Sequence, residues 1–302
     1  MISLICGGTG FIGRTIVRKL AENQAPIRVL ARNPVKAKKL FGNLSVEIVP
    51  GDIFQTESLH RAMRGVSTVI HCAQFPGHPV ENRRKGWTYW EVDASGTEAA
   101  VRAAKQAGVK HFIYFSGAGV NRGIDKPWFR AKEYAEISIL KSGIPATILR
   151  PSWIYGHGDR SMSQFIKMLR WLPLFPMLGD GKNHVQPVHV EDVAELVTMI
   201  LEKKTTGVFD IGGPKEMTMN ELVQTLCRTL DKHRPIIHIP KWLAKLGVFP
   251  LQIFPQPPMT PDAIDFITMD IQIDTSPIKQ AYPNWKPRAF TDKNATKSIF
   301  CR

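Results

Sequence analysis

Four glycines fall within seven residues near the start of the chain, at Gly7, Gly8, Gly10 and Gly13. A short apolar run, residues 2–6, leads into them, and residues 11–20 follow with apolar side chains at helical spacing. The order strand, glycine turn, helix fits G-x-G-x-x-G from Gly8 and G-x-x-G-x-x-G from Gly7. At such a turn a Cβ would obstruct the tight bend, the approach of a pyrophosphate, or the packing of helix on strand. The helix N-terminus would offer unpaired N–H groups and the positive end of its dipole to an anion. A dinucleotide site at residues 7–13 is therefore the first expectation, and it points to a parallel α/β sheet.

The rest of the first half alternates in the same way. Apolar runs at 27–31, 46–49, 68–73, 111–115 and 146–149 predict strands. Helical spacing covers 35–41, 55–63, 93–107 and 130–141, the last two closed by Gly108 and Gly143. Such alternation predicts an α/β fold, a Rossmann-type doubly wound parallel sheet with ligands at the carboxyl ends of its strands. Beyond Pro151 the pattern loosens, with helices at 161–172, 192–202 and 219–230 and extended runs at 186–189, 208–211 and 235–239. The expected division is a nucleotide-binding domain of residues 1–151 plus 186–213 and a smaller C-terminal substrate lobe of residues 152–185 plus 214–302.

The formal net charge of +14 suits an acidic ligand or an anionic membrane surface. The cations are spread along the chain rather than clustered with aromatics, so no nucleic-acid partner is expected. The four cysteines, Cys6, Cys72, Cys227 and Cys301, have neither CxxC nor metal-ligand spacing. That pattern predicts a reducing compartment, with Cys6 and Cys72 as small buried apolar residues and no metal. Met1 runs straight into the first strand and no apolar run approaches membrane-spanning length. The expectation is a cytoplasmic monomer or homodimer, with membrane association as the variant reading. Residues 241–254 are apolar and aromatic between lysines. They predict a helix covering the smaller lobe. The sharper alternative is a surface for a quinone- or isoprenoid-like substrate or for peripheral membrane contact.

Six stretches together resemble the extended short-chain dehydrogenase/reductase superfamily: GGTGFIG at 7–13, GDI at 51–53, HCA at 71–73, FSGAG at 115–119, LRPSWIYGHGD at 149–159 and PVHVEDVA at 187–194, with FDIGGP at 209–214. This is the NAD(P)-dependent epimerase/dehydratase-like group. The nearest subgroup is similar to the atypical members related to the NmrA-like proteins and the complex I NADPH-binding subunit. The resemblance implies that Gly7, Thr9, Gly10, Phe11, Ile12, Gly13, Asp52, Ile53, Cys72, Ala73, Lys132 and Pro151 meet the cofactor, Asp52 at the adenine amino group.

In NAD binders an acid after the second strand bonds the ribose 2′-hydroxyl. Here the chain reads Ala31-Arg32-Asn33-Pro34, without one. Arg32 stands where a guanidinium would pair with a 2′-phosphate, and Arg14 and Lys36 would add charge. NADP(H) is therefore expected over NAD(H).

Family enzymes use Ser with Tyr and Lys spaced Y-x-x-x-K on one helix. The Lys holds the nicotinamide ribose and lowers the Tyr pKa for proton transfer. Ser116 and Lys132 fit two of these positions, but Trp128 stands where Tyr is expected. An indole N–H donates a hydrogen bond and does not titrate near neutrality. Tyr134, two residues beyond Lys132, lies on another face of the helix. Tyr155 is the remaining candidate donor, and Trp128, Trp153 and Tyr155 are candidate walls of a substrate pocket. Two readings follow. The leading one is an NADPH-dependent reductase of an apolar small molecule, with Ser116, Lys132 and Tyr155 as its catalytic set. The alternative is a non-catalytic NADPH-binding regulatory, redox-sensing or assembly protein.

Overall fold

A computed structural model of the chain describes residues 2–290 other than 121, 255, 256 and 258. Cys301 lies outside these. Seven parallel strands form the central sheet: β1 (Ile2–Cys6), β2 (Ile27–Ala31), β3 (Val46–Pro50), β4 (Val66–His71), β5 (His111–Phe115), β6 (Ala146–Pro151) and β7 (Gly207–Ile211). Their spatial order is β7-β6-β5-β4-β1-β2-β3. The chain leaves β1 toward β2 and β3, then crosses back to β4. The crevice between the carboxyl ends of β1 and β4 is thus the switch point of a doubly wound sheet, where such folds bind ligands.

The strands read as continuous apolar runs because both faces are covered. Side chains alternate across the sheet. Leu4 and Cys6 enter the cluster shared with α3 (Thr56–Met63), α4 (Gly96–Gln106) and α5 (Pro127–Lys141). Ile5 enters the opposite cluster, built on α1 (Phe11–Glu22), α2 (Pro34–Phe41) and α7 (Val190–Lys203). Helix α1 buries Gly13, Ile16, Val17 and Leu20, the stripe expected of an amphipathic helix laid on a sheet. The predicted long helix from residue 93 is two pieces. Tyr89–Ser95 winds as a π-helical turn, and α4 begins only at Gly96. Helix α5 starts at Pro127, three residues before the predicted onset, with the proline at its first position, where a missing N–H costs nothing.

A third cluster joins Met162, Ile166 and Leu169 of α6 (Arg160–Trp171) to Leu222, Val223 and Leu226 of α8 (Met219–Thr229), with Phe175, Met177, Tyr155 and Phe290. Beside it the short strands Phe175–Leu178 and Ile236–Ile239 pair in parallel. Not all of the C-terminal stretch assigned by sequence to the smaller lobe packs there. Ile278, Tyr282 and Trp285 bury against the sheet cluster of α1 and α7. Trp285 Nε1 donates to the Asp192 carbonyl and Arg288 pairs with Asp192. Cys6, Cys72 and Cys227 are free thiols. Burial pushes the thiols of Cys6 and Cys72 up to about 12. Among the described residues no helix is long and apolar enough to cross a membrane.

Candidate cofactor site

The glycine turn is closed by its neighbours. Gly7 has φ +85°, and a Cβ there would stand 2.7 Å from Ala73 N, where the chain leaving β4 crosses the turn. A Cβ on Gly13 would stand 2.7 Å from Gly8 Cα and overlap the Gly7 carbonyl. Cys72 N–H donates to Cys6 O at 3.0 Å, which fixes that crossing. The N-cap of α1 is Gly10, so no side chain caps the helix. Thr9 and Gly10 are exposed, and Phe11 and Ile12 half-exposed. An uncapped helix start in a cradle with no room for side chains fits a pyrophosphate.

Beside this turn a cavity of about 320 Å³ is lined by Arg32, Pro50, Gly51, Asp52, Gln55 and Arg61. Asp52 is held by its own loop. Its Oδ1 accepts from Phe54 N–H and its N–H donates to Ser58 Oγ. Ile53 is buried and packs under Gly96. Arg32 lines the cavity together with Arg61 of α3, which also donates to Pro50 O. Arg14 is elsewhere. Its Nη2 donates to His157 O at 2.8 Å, and its guanidinium lies on Gly158, where a Cβ would collide with it. Lys36 is exposed and gives its backbone N–H to Asn33, the N-cap of α2. Neither Arg14 nor Lys36 lines the cavity.

The two retained catalytic positions are buried and engaged. Lys132 Nζ lies 2.8 Å from Asp93 Oδ1, donates to Phe115 O at 3.0 Å, and sits 5.0 Å from the centre of the Tyr114 ring. Its side chain is 5% exposed and that of Asp93 fully buried. Burial alone would lower the ammonium pKa, but the Asp93 charge overcomes it and raises the group above its ordinary range. Ser116 Oγ donates to Glu136, whose carboxylate also takes Nε of Arg150 at 2.9 Å. His71, at the end of β4, meets Thr97 Oγ1 at 3.1 Å. Its pKa is lowered to about 3 by burial and then by the Lys132 charge, so the ring is neutral.

Trp128 lies in the first turn of α5, its ring against Gly117, Phe129 and Phe266. His78 adds a further edge, and Phe75 and Tyr89 pack on His78. Trp128 Nε1 is buried with no hydrogen-bond partner among the described residues. Tyr155 is wholly buried between His189 and Phe290 in the third cluster. Trp153 packs edge-on against Phe165. Pro151 O accepts from Ala118 N–H. The structure thus gathers residues 7–13, Cys72 and Ala73 around the switch point, sets Asp52 in the cavity of Arg32, and gives Ser116 and Lys132 carboxylate partners. Asp93, Glu136 and Arg61 belong to no motif recognised in the sequence, and Arg150 lies in the stretch 149–159 but was not singled out there.

A relative from Arabidopsis thaliana, NADH dehydrogenase [ubiquinone] 1 alpha subcomplex subunit 9, mitochondrial, is 25% identical over 297 residues, covering 92% of this chain and 72% of that protein. The ceramide reductase of Caulobacter vibrioides is 28% identical over 239 residues, 78% of this chain and 73% of that protein. The chain spans 63% of the length of another curated relative, an uncharacterized protein of Sinorhizobium fredii. Among solved structures, MoeE5 in complex with UDP-glucuronic acid and NAD matches with a TM-score of 0.76 at 20% identity, covering 99% of this chain and 97% of that one. That match bears on the fold alone. A model of the NAD(P)H-binding family matches residues 7–204, from the glycine turn to the end of α7, and this chain belongs to that family.

Proposed function

We propose that the protein binds NADP(H) and acts through its bound state, as a redox-responsive subunit or assembly component, without reducing a carbonyl substrate. The observation that carries this reading is the buried ion pair of Lys132 with Asp93. A lysine so held has its charge matched inside the protein by a buried carboxylate. Ser116 is spoken for by Glu136, and the donor position holds an indole packed into an aromatic cluster. The NADP(H) preference is supported by Arg32 and Arg61 lining one cavity and by the lack of an acid at the end of β2. A guanidinium there would pair with a 2′-phosphate. The Arabidopsis relative is by name a subunit of a larger dehydrogenase, which agrees with this reading.

A crystal structure with NADPH tests it. The expected result is a nicotinamide whose C4 face is covered by protein, with Lys132 still on Asp93. A substrate-sized apolar space at C4, with Lys132 turned to the ribose, would overturn the proposal. That outcome would favour the second reading, an NADPH-dependent reductase of an apolar molecule, which draws on the relative named ceramide reductase.

A further inference from the structure

The helix α9 (Lys241–Val248) buries none of its residues. Trp242, Leu246 and Phe249 recur at i, i+4 and i+7 and are 67%, 63% and 71% exposed. Leu243, Ile253 and Phe254 extend the same apolar surface into the turn that follows. An amphipathic helix on a globular protein ordinarily turns its apolar stripe inward. Here the polar side faces the protein. Lys245 Nζ pairs with Asp265 of α10 (Pro261–Ile267) at 2.6 Å, and Lys241 Nζ donates to Thr268 O. The two lysines moor the helix and leave the stripe facing out.

Charge selects what would cover it. From residue 232 to residue 261 the chain carries no carboxylate, and beside the mooring Lys241 and Lys245 its cations are Lys232 and Arg234. The strand Ile236–Ile239 leads directly into α9. At its other end lies a cavity of about 560 Å³ whose lining includes Arg228, Lys232, His233 and Arg234 against the single carboxylate Asp231. Trp171, 83% exposed, is close to that end, since Arg234 Nε donates to Leu169 O. A second copy of this chain would bring the same cations against these. Anionic headgroups complement them, while the aromatic and aliphatic stripe suits the boundary between headgroup and acyl chain. We propose that α9 and the turn after it dock the protein on the surface of an anionic lipid bilayer, lying in the interface without crossing it. This rests on the lobe surface and not on the cofactor site.

Flotation with vesicles of phosphatidylcholine, alone or mixed with phosphatidylglycerol, tests the proposal on the full chain. The expected result is binding to the mixed vesicles at low salt, and weaker binding to phosphatidylcholine alone. The double variant Trp242→Glu/Phe249→Glu should lose partitioning by roughly tenfold or more, because two apolar anchors leave the interface. Its thermal melt and NADPH affinity, which α9 does not touch, should stay those of the parent. A parent chain that leaves mixed vesicles unbound at low ionic strength overturns the proposal, as does a variant that floats like the parent. A dimer seen by sedimentation velocity, lost in the variant and accompanied by no vesicle binding, would also overturn it by assigning the stripe to self-association.

Discussion

Replacing Asp93 by Asn separates a structural lysine from one held ready for chemistry. In the parent, the Lys132 ammonium is buried and its charge is matched by Asp93 at 2.8 Å. Asp93→Asn keeps the shape and removes the countercharge. Stranding one member of a buried pair costs about 3–5 kcal/mol. That corresponds to a melting shift of roughly 6–20 °C on the scale of 150–250-residue domains. The pH dependence carries a second signature. In the parent, the Lys132 pKa lies above its unfolded value of about 10.4, so its contribution is complete below that pH and is lost only as pH rises through the folded value. Stability should then show no Lys132-linked change between pH 7 and pH 10. In the variant, burial without a partner depresses the folded pKa. The unfolded chain now binds more protons, and stability should rise with pH up to about 10.4. Urea unfolding at several pH values measures both effects. The double variant Asp93→Asn/Lys132→Met, which removes the stranded charge, should recover most of the loss. Under the proposed function it should also bind NADPH as tightly as the parent. A single variant within about 1 kcal/mol of the parent and without the alkaline gain would refute the reasoning.

Arg32→Ala should weaken NADPH by about 1.5–3 kcal/mol, roughly 10- to 150-fold, and leave NADH unchanged. Arg61→Ala should act in the same direction, whereas Arg14→Ala should not alter the NADPH-to-NADH ratio; calorimetric titration decides, and equal affinities in the parent would remove the premise. Gly13→Ala should cost about 1–3 kcal/mol in urea unfolding, because the new methyl overlaps the Gly7 carbonyl. Gly247→Ala, in α9 with open space around it, should instead gain about 0.5–1 kcal/mol. Trp128→Tyr restores the family donor but leaves Ser116 on Glu136 and Lys132 on Asp93, so no NADPH oxidation should appear with ketone substrates. Turnover by this single variant would show that the relay is intact and the binder reading wrong.

The sheet was legible because backbone sterics print directly on sequence. A helix packed on a turn excludes a Cβ at Gly13, and strands covered on both faces show as unbroken apolar runs. The doubly wound parallel sheet followed from alternation alone, and its strand order came from the fold. The interior of the site was not legible. Asp93 lies in a π-helical turn that apolar spacing reads as ordinary helix, and its pairing with Lys132 joins residues 39 apart. Glu136 and Arg150 come from a helix and a strand with no motif linking them. Arg61 sits in the last turn of α3, where a cation usually means solvent or the helix dipole, and only the fold carries it to the cavity of Arg32. The loop contact of Arg14 was not legible, because adjacency to Gly13 in sequence says nothing of direction: the first turn of α1 aims it at residues 157 and 158. For α9 the apolar spacing was read correctly, but such spacing carries no sign, and the mooring lysines turn the stripe outward.

The Arg14 clasp leaves most of a guanidinium's donors free while fixing where they stand. Its guanidinium leaves the first turn of the helix whose N-terminus suits a pyrophosphate, and it spends a hydrogen bond on the His157 carbonyl in the loop before α6. An anion at that helix end and the loop carbonyl draw on the same positive group. A loop that fixes the guanidinium readies its free N–H groups for the anion, and the effect runs equally in both directions. A shift of the loop would then be felt as a change in nucleotide affinity, and a change of nucleotide as a change in the tether of the loop. A coupling of this kind is typically about 1–3 kcal/mol, enough for occupancy at the crevice to be sensed at the far side of a single arginine.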